Sequence, residues 1–592
     1  MSNVTFVVAD ALRKGRVDAW LAEHGCPPEE VVKRDLAGGW VLYIVAARAE
    51  TYVRGTTFYR GTCVASDMHA MVLDADGWAT APEEIRQDLA GHGGEYIAAS
   101  WNRRRVRVAR DIFGSVTLAY TQAPGVGVVS DSLLIIRSLR KHLGAPVTPN
   151  IEVLAARSVR SGHAGQQMSP DTQLREASVI PVGQTLTLRA GLGGVRLHID
   201  GPTLTDRLFD RPVDAVALTR ELAVRIAGIV RATADASDFP PEIGLSGGYD
   251  SRLVLAGARA SGRIDAFRVT SADSTPAHIP DFVVASEMST RFDFALNARP
   301  TARERVQLPG SPLAVWGSTH LGIYDRLIPM HPKRSIGASV SLSGLGAEIL
   351  KGNWGWTPIE HFTRGMPISA LQKSAFVNQV ERALHVVGAD PSWNDASEIF
   401  YLAHRNGVHG SGHIGVSMSQ VRPLQMFDMA RLGHSHRDGS ARYGAPRGPL
   451  IGSYDAIADM LSILDPELAS HRFDTPEKAL SAASIRARLG RLGGPISPSE
   501  IPTFTIYGKF EEPGGASRLG IAISRGLGVD GAVETEHLLP LAQELLSLVP
   551  VELTDIYSDL WGAAVWRLVD KKSPPTHAGF ALPKILSLAV LT

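Results

Sequence analysis

The chain has 592 residues, with 60 Lys and Arg balanced by 60 Asp and Glu, two cysteines and 44% hydrophobic residues. That length allows two or three domains with ample cores, and the absence of a basic excess argues against nucleic acid or an anionic membrane as the main partner. Cys26 and Cys63 can build neither a disulfide framework nor a cysteine metal site, which fits a reducing compartment. No basic region precedes a long apolar stretch at the N-terminus, and no apolar run approaches the length of a membrane span, so a cytoplasmic protein is expected.

Up to about residue 200 the pattern is one of short β-type runs. Gly39–Val45 is one, Gly94–Arg104 reads as a strand and a polar turn, and Val106–Ala109 alternates as a half-buried strand should. The chain continues through Arg110–Gly114, Leu118–Tyr120 and Gly127–Asp131 to Val179–Leu186, read as a closing strand. Two basic runs, Arg103–Arg105 and Arg137–Lys141, are short and lack interleaved aromatics, so they read as a solvated turn and helix face.

Residues 201–213, rich in Pro, Asp and Arg, read as a linker. Leu218, Leu222, Ile226, Ile229 and Val230 then recur at helical spacing and predict an amphipathic helix over Val216–Thr233. A short apolar run, Ile243-Gly244-Leu245, enters Ser246-Gly247-Gly248-Tyr249-Asp250-Ser251, and a helix over Ser251–Ala260 follows. Such a turn presents backbone N–H groups to an anion, the glycines let the main chain approach it, and Ser246 and Ser251 add hydroxyl donors. Asp250 would repel a phosphate unless a divalent cation lay between them, so the segment reads as a site for a nucleotide phosphate with magnesium. The Gly-Lys-Ser/Thr of a Walker loop is absent. A strand at Asp265–Thr270 and a helix start at Pro280–Ala285 continue the alternation, which predicts a doubly wound parallel sheet with its ligand at the C-terminal strand ends. Ser339–Gly352 reads as another buried strand, ending in a glycine turn that delivers Glu348.

The loop resembles the pyrophosphate-binding loop of the asparagine synthetase superfamily, which includes asparagine, β-lactam and lasso-peptide macrolactam synthetases. The resemblance implies ATP and Mg2+ as cofactors, adenylation of a substrate carboxylate with release of pyrophosphate, and attack by an amine. It implies an α/β architecture: a β-rich amidotransferase-like domain over 1–200, a linker over 201–213, and a doubly wound ATP-pyrophosphatase domain with a helical C-terminal part over 214–592. On this match Leu245, Ser246, Gly247, Gly248, Asp250, Ser251, Val269, Ser343 and Gly344 would bind ATP, and Asp250 with Glu348 would hold the metal. Val269 falls where the family places an apolar residue near adenine. The succession Gly94-Glu95, Arg110-Asp111-Ile112-Phe113-Gly114 and Ser130-Asp131 is similar to the end of the family's glutamine amidotransferase domain, and Val179–Leu186 to its closing strand. The N-terminal cysteine of that domain is replaced by Ser2, a much weaker nucleophile, so the domain reads as a remnant and glutamine is not expected to donate nitrogen.

Leu345 stands where asparagine synthetases have Glu and β-lactam synthetases a Tyr, so neither identity fits and the amine's base must come from elsewhere. Phe400–Arg405 and Val421–Leu424 look like elements lining the acceptor cavity of related synthetases. Arg405 or Arg422 would hold a substrate carboxylate or phosphate there, a structural ion pair being the equal alternative. The family's transition-state lysine has one candidate between Lys373 and Lys509, Lys478. His409, His413, His434 and His436 lack zinc-site spacing and read as surface histidines. The expected partners are a small molecule or peptide carrying carboxylate and amine, and pathway proteins, with no nucleic acid and no membrane. The competing readings are a glutamine- or ammonia-dependent asparagine synthetase, a tRNA-modifying enzyme built on the same loop, and a degenerate, non-catalytic partner protein.

Overall fold

The computed structural model describes residues 3–435 and 455–592, apart from 192, 301, 329, 331, 332, 363, 365, 367, 412–418, 513 and 578. Ser2, His413 and His436 lie outside the described residues. The protein is a mixed α/β structure with antiparallel and parallel sheets.

Two antiparallel sheets dominate the first 200 residues. In the first, the strand Thr5–Ala9 lies between Val126–Ser130 and Val41–Val45, with Ala119–Ala123, Ala177–Val179 and Val31–Asp35 outward of them. In the second, Gly93–Trp101 lies between Thr57–Ala65 and Arg105–Arg110, continued by Thr185–Gly191 and Gly194–Asp200. Side-chain alternation explains the layering. Phe6 and Val8 face a core shared with Phe58, Ile97, Val106 and Leu188 of the other sheet, whereas Val7 and Ala9 join Val17, Trp20 and Leu134 of the covering helices. The outer face of the second sheet buries Tyr59 and Tyr96 against Trp78, whose ring stacks on Tyr59 at 4.6 Å.

Two sequence readings are corrected here. Val179–Leu186 is not one strand: Ala177–Val179 and Thr185–Gly191 belong to different sheets, because the chain turns between them through Gly183 at φ 74°. Nor is Arg137–Lys141 a solvated face. It closes the helix Leu133–His142, in which Arg137 and Arg140 are buried and Arg140 donates to the carbonyls of Gln122 and Pro146, both at 2.8 Å. The Arg103–Arg105 turn is exposed as expected.

Within 201–213 the chain forms a helix, Leu204–Leu208, closed by a Thr203/Asp206 capping box. The helix predicted over 216–233 spans Ala215–Ala236, capped by Asp214, with Leu222, Ile226, Ile229 and Val230 buried. A four-stranded parallel sheet follows in the order Arg268–Thr270, Glu242–Gly244, Val340–Leu342, Ser419–Val421. The helices Ala215–Ala236, Tyr249–Ala260 and Asp455–Leu464 pack on one another beside it. The C-terminal part then returns to the first 200 residues: Thr505–Tyr507 adds a parallel strand to Ala70–Val72. Buried Asp325 ties Arg157 at 2.6 Å to Lys584 at 3.3 Å, and their two positive charges hold its carboxyl below the usual range despite burial.

Candidate functional site

The Ser-Gly-Gly segment leaves the C-terminal end of Glu242–Gly244, one of the two interior strands of the parallel sheet. Ile243 and Leu245 are buried, and the Leu245 N–H donates to the Thr270 carbonyl at 2.7 Å. Ser251 then closes the turn. Its hydroxyl oxygen accepts from the Ser246 N–H at 2.9 Å and lies 2.9 Å from the Ser246 hydroxyl. The helix Tyr249–Ala260 starts at Gly248 with no side chain capping it. The positive end of the helix dipole there favours negative charge.

Close packing around the loop requires glycine at two positions. A Cβ on Gly247 would stand 2.7 Å from Asp474 Cβ and 3.0 Å from Asp281 Oδ1. One on Gly344 would stand 2.5 Å from the Asp250 carbonyl carbon and the Ser251 nitrogen. The strand end Ser343-Gly344 thus presses directly on Asp250. It is positioned in turn by Gln420, which donates to Ser343 Oγ at 3.1 Å.

Asp250 is the electrostatic centre. Burial pushes its carboxyl above the usual carboxylate range; Lys351, hydrogen-bonded to Oδ2, opposes this and the nearby Glu348 adds to it. Oδ1 is buried with no hydrogen-bond partner among the described residues. Glu348 opens the short helix Glu348–Lys351 and accepts from the Gly346 N–H at 2.9 Å. A bare buried carboxylate oxygen beside a second carboxylate is the donor set that magnesium takes when phosphate oxygens complete its shell, so these residues fit the metal.

Lys478 also reaches the loop. The Tyr249 hydroxyl donates to its carbonyl at 2.6 Å, and its Nζ lies 4.0 Å from where a Cβ on Gly248 would sit. The ammonium is held by Asp474 at 2.8 and 3.0 Å.

The other assigned residues fall differently. Val269 is 1% exposed and belongs to the core, opposite Ile243 in the ladder, so its side chain does not line the loop. Arg422 sits between the two halves: it donates to Gln420 and Gln425, both at 3.0 Å, and its guanidinium lies 3.7 Å from Glu95. Its described contacts reach Ser343 only through Gln420, which makes it a positioning group. Arg405 reaches Gln166 at 3.4 Å and lies over the Tyr324 ring. Of the histidines read as surface residues, His434 is buried and His409 half-buried. His434 is buried 2.7 Å from Asp395, and His409 meets the Tyr401 hydroxyl at 2.9 Å. Burial lowers His409 to about 4 and His404 to about 3.

Four contributors, Lys351, Asp281, Arg252 and Asp474, were not read from the sequence. Lys351 neutralises Asp250 across 101 residues of chain, and Asp281 Oδ1 accepts from the Gly247 N–H at 2.7 Å. Arg252 is fully buried, stacks on Phe473 at 3.7 Å and donates to the carbonyls of His471 and Arg472, both at 2.8 Å. It thereby holds the segment that delivers Asp474 and Lys478. An Arg at the start of an amphipathic helix was the available signal for Arg252; the others carry none that is local.

No protein family and no curated protein matches the chain. Among solved structures, it is similar to a glutamine phosphoribosylpyrophosphate amidotransferase from B. subtilis, complexed with ADP and GMP. The identity is 11%, over 65% of this chain and 89% of that one, with a TM-score of 0.20. A second structure, described as the allosteric regulatory enzyme of purine biosynthesis, is similar at 10% identity over 76% of this chain and 98% of that one, with a TM-score of 0.21. At these TM-scores neither likeness bears on the site.

Proposed function

We propose that the protein is an ATP-dependent amide ligase, in which residues 214–592 act as the synthetase and residues 1–200 as a degenerate amidotransferase-like domain. The observation that carries this reading is the buried, unpartnered Asp250 Oδ1 at the mouth of an uncapped helix, facing a second carboxylate and two lysines. A substrate carboxylate oxygen attacks the α-phosphorus of ATP and pyrophosphate leaves; the amine nitrogen then attacks the acyl carbon, loses its proton and expels AMP. The Ser246 and Ser251 hydroxyls and the start of the helix hold the departing phosphates, the Ser246 and Gly247 N–H groups being engaged by Ser251 and Asp281, and Ser343-Gly344 receive the adenosine. Asp250 and Glu348 would hold magnesium, which when bound neutralises phosphate charge. Lys478 supplies positive charge beside the phosphorus once it leaves Asp474. The substrate class is a small molecule or peptide with a carboxylate and an amine, in peptide or natural-product assembly.

The tRNA-modifying alternative requires a reactive thiolate. Burial pushes the Cys26 thiol up to about 12 and raises that of fully buried Cys63 well above its ordinary value, which disfavours it. Among the described residues, no helix is long and apolar enough to cross a membrane. The test incubates the protein with ATP, magnesium and carboxylate-plus-amine substrates and follows the nucleotide products. AMP with pyrophosphate is expected; ADP with orthophosphate would refute adenylation.

A further inference from the structure

The end of the parallel sheet opposite the loop carries a second concave site. Glu242, Arg268 and Val340, the first residues of their strands, line a cavity of about 580 Å³ together with Phe239, Phe267, Pro300 and three further arginines, Arg299, Arg303 and Arg305. That volume lies in the range of sites that enclose small organic ligands.

The charge is unbalanced and partly fixed in place. Four arginines face two carboxylates, Glu242 and Asp265. Glu242 is committed to Arg268 by an ion pair and accepts from the Thr270 hydroxyl at 3.0 Å. Arg303 donates to the Ala338 carbonyl at 3.1 Å and to Ser339 Oγ at 3.0 Å, while its guanidinium stacks on the Phe239 ring at 4.3 Å. It is therefore held as a flat cationic wall. Arg299 and Arg305 are exposed, and their side chains have no hydrogen-bond or ion-pair partner among the described residues. Structural arginines in this chain, such as Arg157, Arg252 and Arg225, are instead bonded to carbonyls or carboxylates.

We propose that this cavity binds a small organic phosphate monoester with an aromatic or apolar body, independently of the phosphate loop. Guanidinium forks match phosphate oxygens in bidentate geometry, and Arg299 and Arg305 are the two with donors to spare. Phe239, Phe267 and Pro300 supply the apolar wall for the ester group. A cleft of this size suits a compact ligand, and the balanced charge of the whole chain gives no extended basic face for a nucleic acid.

The test titrates phenyl phosphate calorimetrically into the full-length protein, the Arg299→Ala/Arg305→Ala variant and the Ser246→Ala/Ser251→Ala loop variant. Both arginines are exposed, so their removal leaves the fold intact. Saturable binding to the wild type is expected, weakened at least tenfold in the arginine variant and unchanged in the loop variant. No saturable binding to the wild type, a loss below threefold in the arginine variant, or a loss in the loop variant equal to that in the arginine variant would overturn the proposal.

Discussion

Asp111, fully buried, and Asp250, half-buried with one oxygen shut away from solvent, both have carboxyls raised by burial, and both sit in glycine-containing turns that sequence reading singled out. Their surroundings differ completely. Asp111, pushed to about 6, accepts from the Phe113 N–H at 3.0 Å, the Ser115 N–H at 3.0 and 3.2 Å and the Ser115 hydroxyl at 3.2 Å. Neighbouring Arg110 is likewise spent on the carbonyls of Val116 and Ile180. Asp250 retains one bare oxygen, and its other oxygen holds a lysine. The first turn uses its aspartate to fix the backbone; the second keeps one aspartate oxygen in reserve. A motif residue suits ligand binding when its hydrogen-bond capacity is not already consumed by its own turn.

Removing the spent aspartate gives the largest expected effect. Asp111→Ala leaves buried N–H groups without acceptors and should cost about 3–5 kcal/mol, read from the denaturant midpoint. Magnesium–nucleotide affinity of the folded fraction should change less than about twofold, since the two turns share no partner; a tenfold loss would erase the contrast drawn here.

Acid should weaken the region beyond the loop next. His163, His404 and His409 lie at about 4, 3 and 4 in the fold, below the ordinary 6.5. The unfolded chain therefore binds more protons below pH 6.5, so stability is fully present above that pH and is lost as pH falls toward 4. The slope is at most about 1.4 kcal/mol per pH unit for each ring. Denaturant midpoints at pH 7 and pH 5 measure it, and His404→Phe should flatten the slope by one proton's share.

Gly344→Ala sharpens the comparison at the loop itself. Its Cβ would meet backbone at 2.5 Å, so the strand end must retreat from Asp250. A destabilisation of about 1–3 kcal/mol is expected, with magnesium–ATP affinity falling about tenfold in calorimetry. The smallest change belongs to Lys351→Met, which removes the ammonium from Asp250. If Lys351 only neutralises the site, the magnesium concentration needed for half-maximal nucleotide binding should fall a few-fold, about the worth of one partly exposed ion pair. A rise of a hundredfold would instead make Lys351 a nucleotide ligand.

The structure brings the loop, Glu348 and Lys478 near one another, and the sequence could single them out because each rests on local features: small residues at a strand end, hydroxyls, a carboxylate and the lone lysine of a long stretch. The burial of Val269 and the neighbours of Arg422 were not legible, because spacing does not reveal which way a strand residue faces or which half of the molecule lies against it. Lys351, Asp281 and Asp474 escaped because pairing across the sheet is a tertiary fact; the Asp250–Lys351 contact spans 101 residues. The long helix at Ala215–Ala236 was found nearly to its ends, whereas the turn at Pro181–Gln184 was read through as strand despite its glycine.

The central claim is that Asp250 and Glu348 form a magnesium clamp serving a nucleotide. Calorimetric titration of ATP, with and without magnesium, into the wild type, Asp250→Asn and Glu348→Gln tests it most directly. The account predicts magnesium-dependent binding in the wild type, weakened about a hundredfold in Asp250→Asn and at least about tenfold in Glu348→Gln, consistent with loss of a buried charge partner. ATP binding that ignores magnesium, or that both variants retain at wild-type strength, would contradict it.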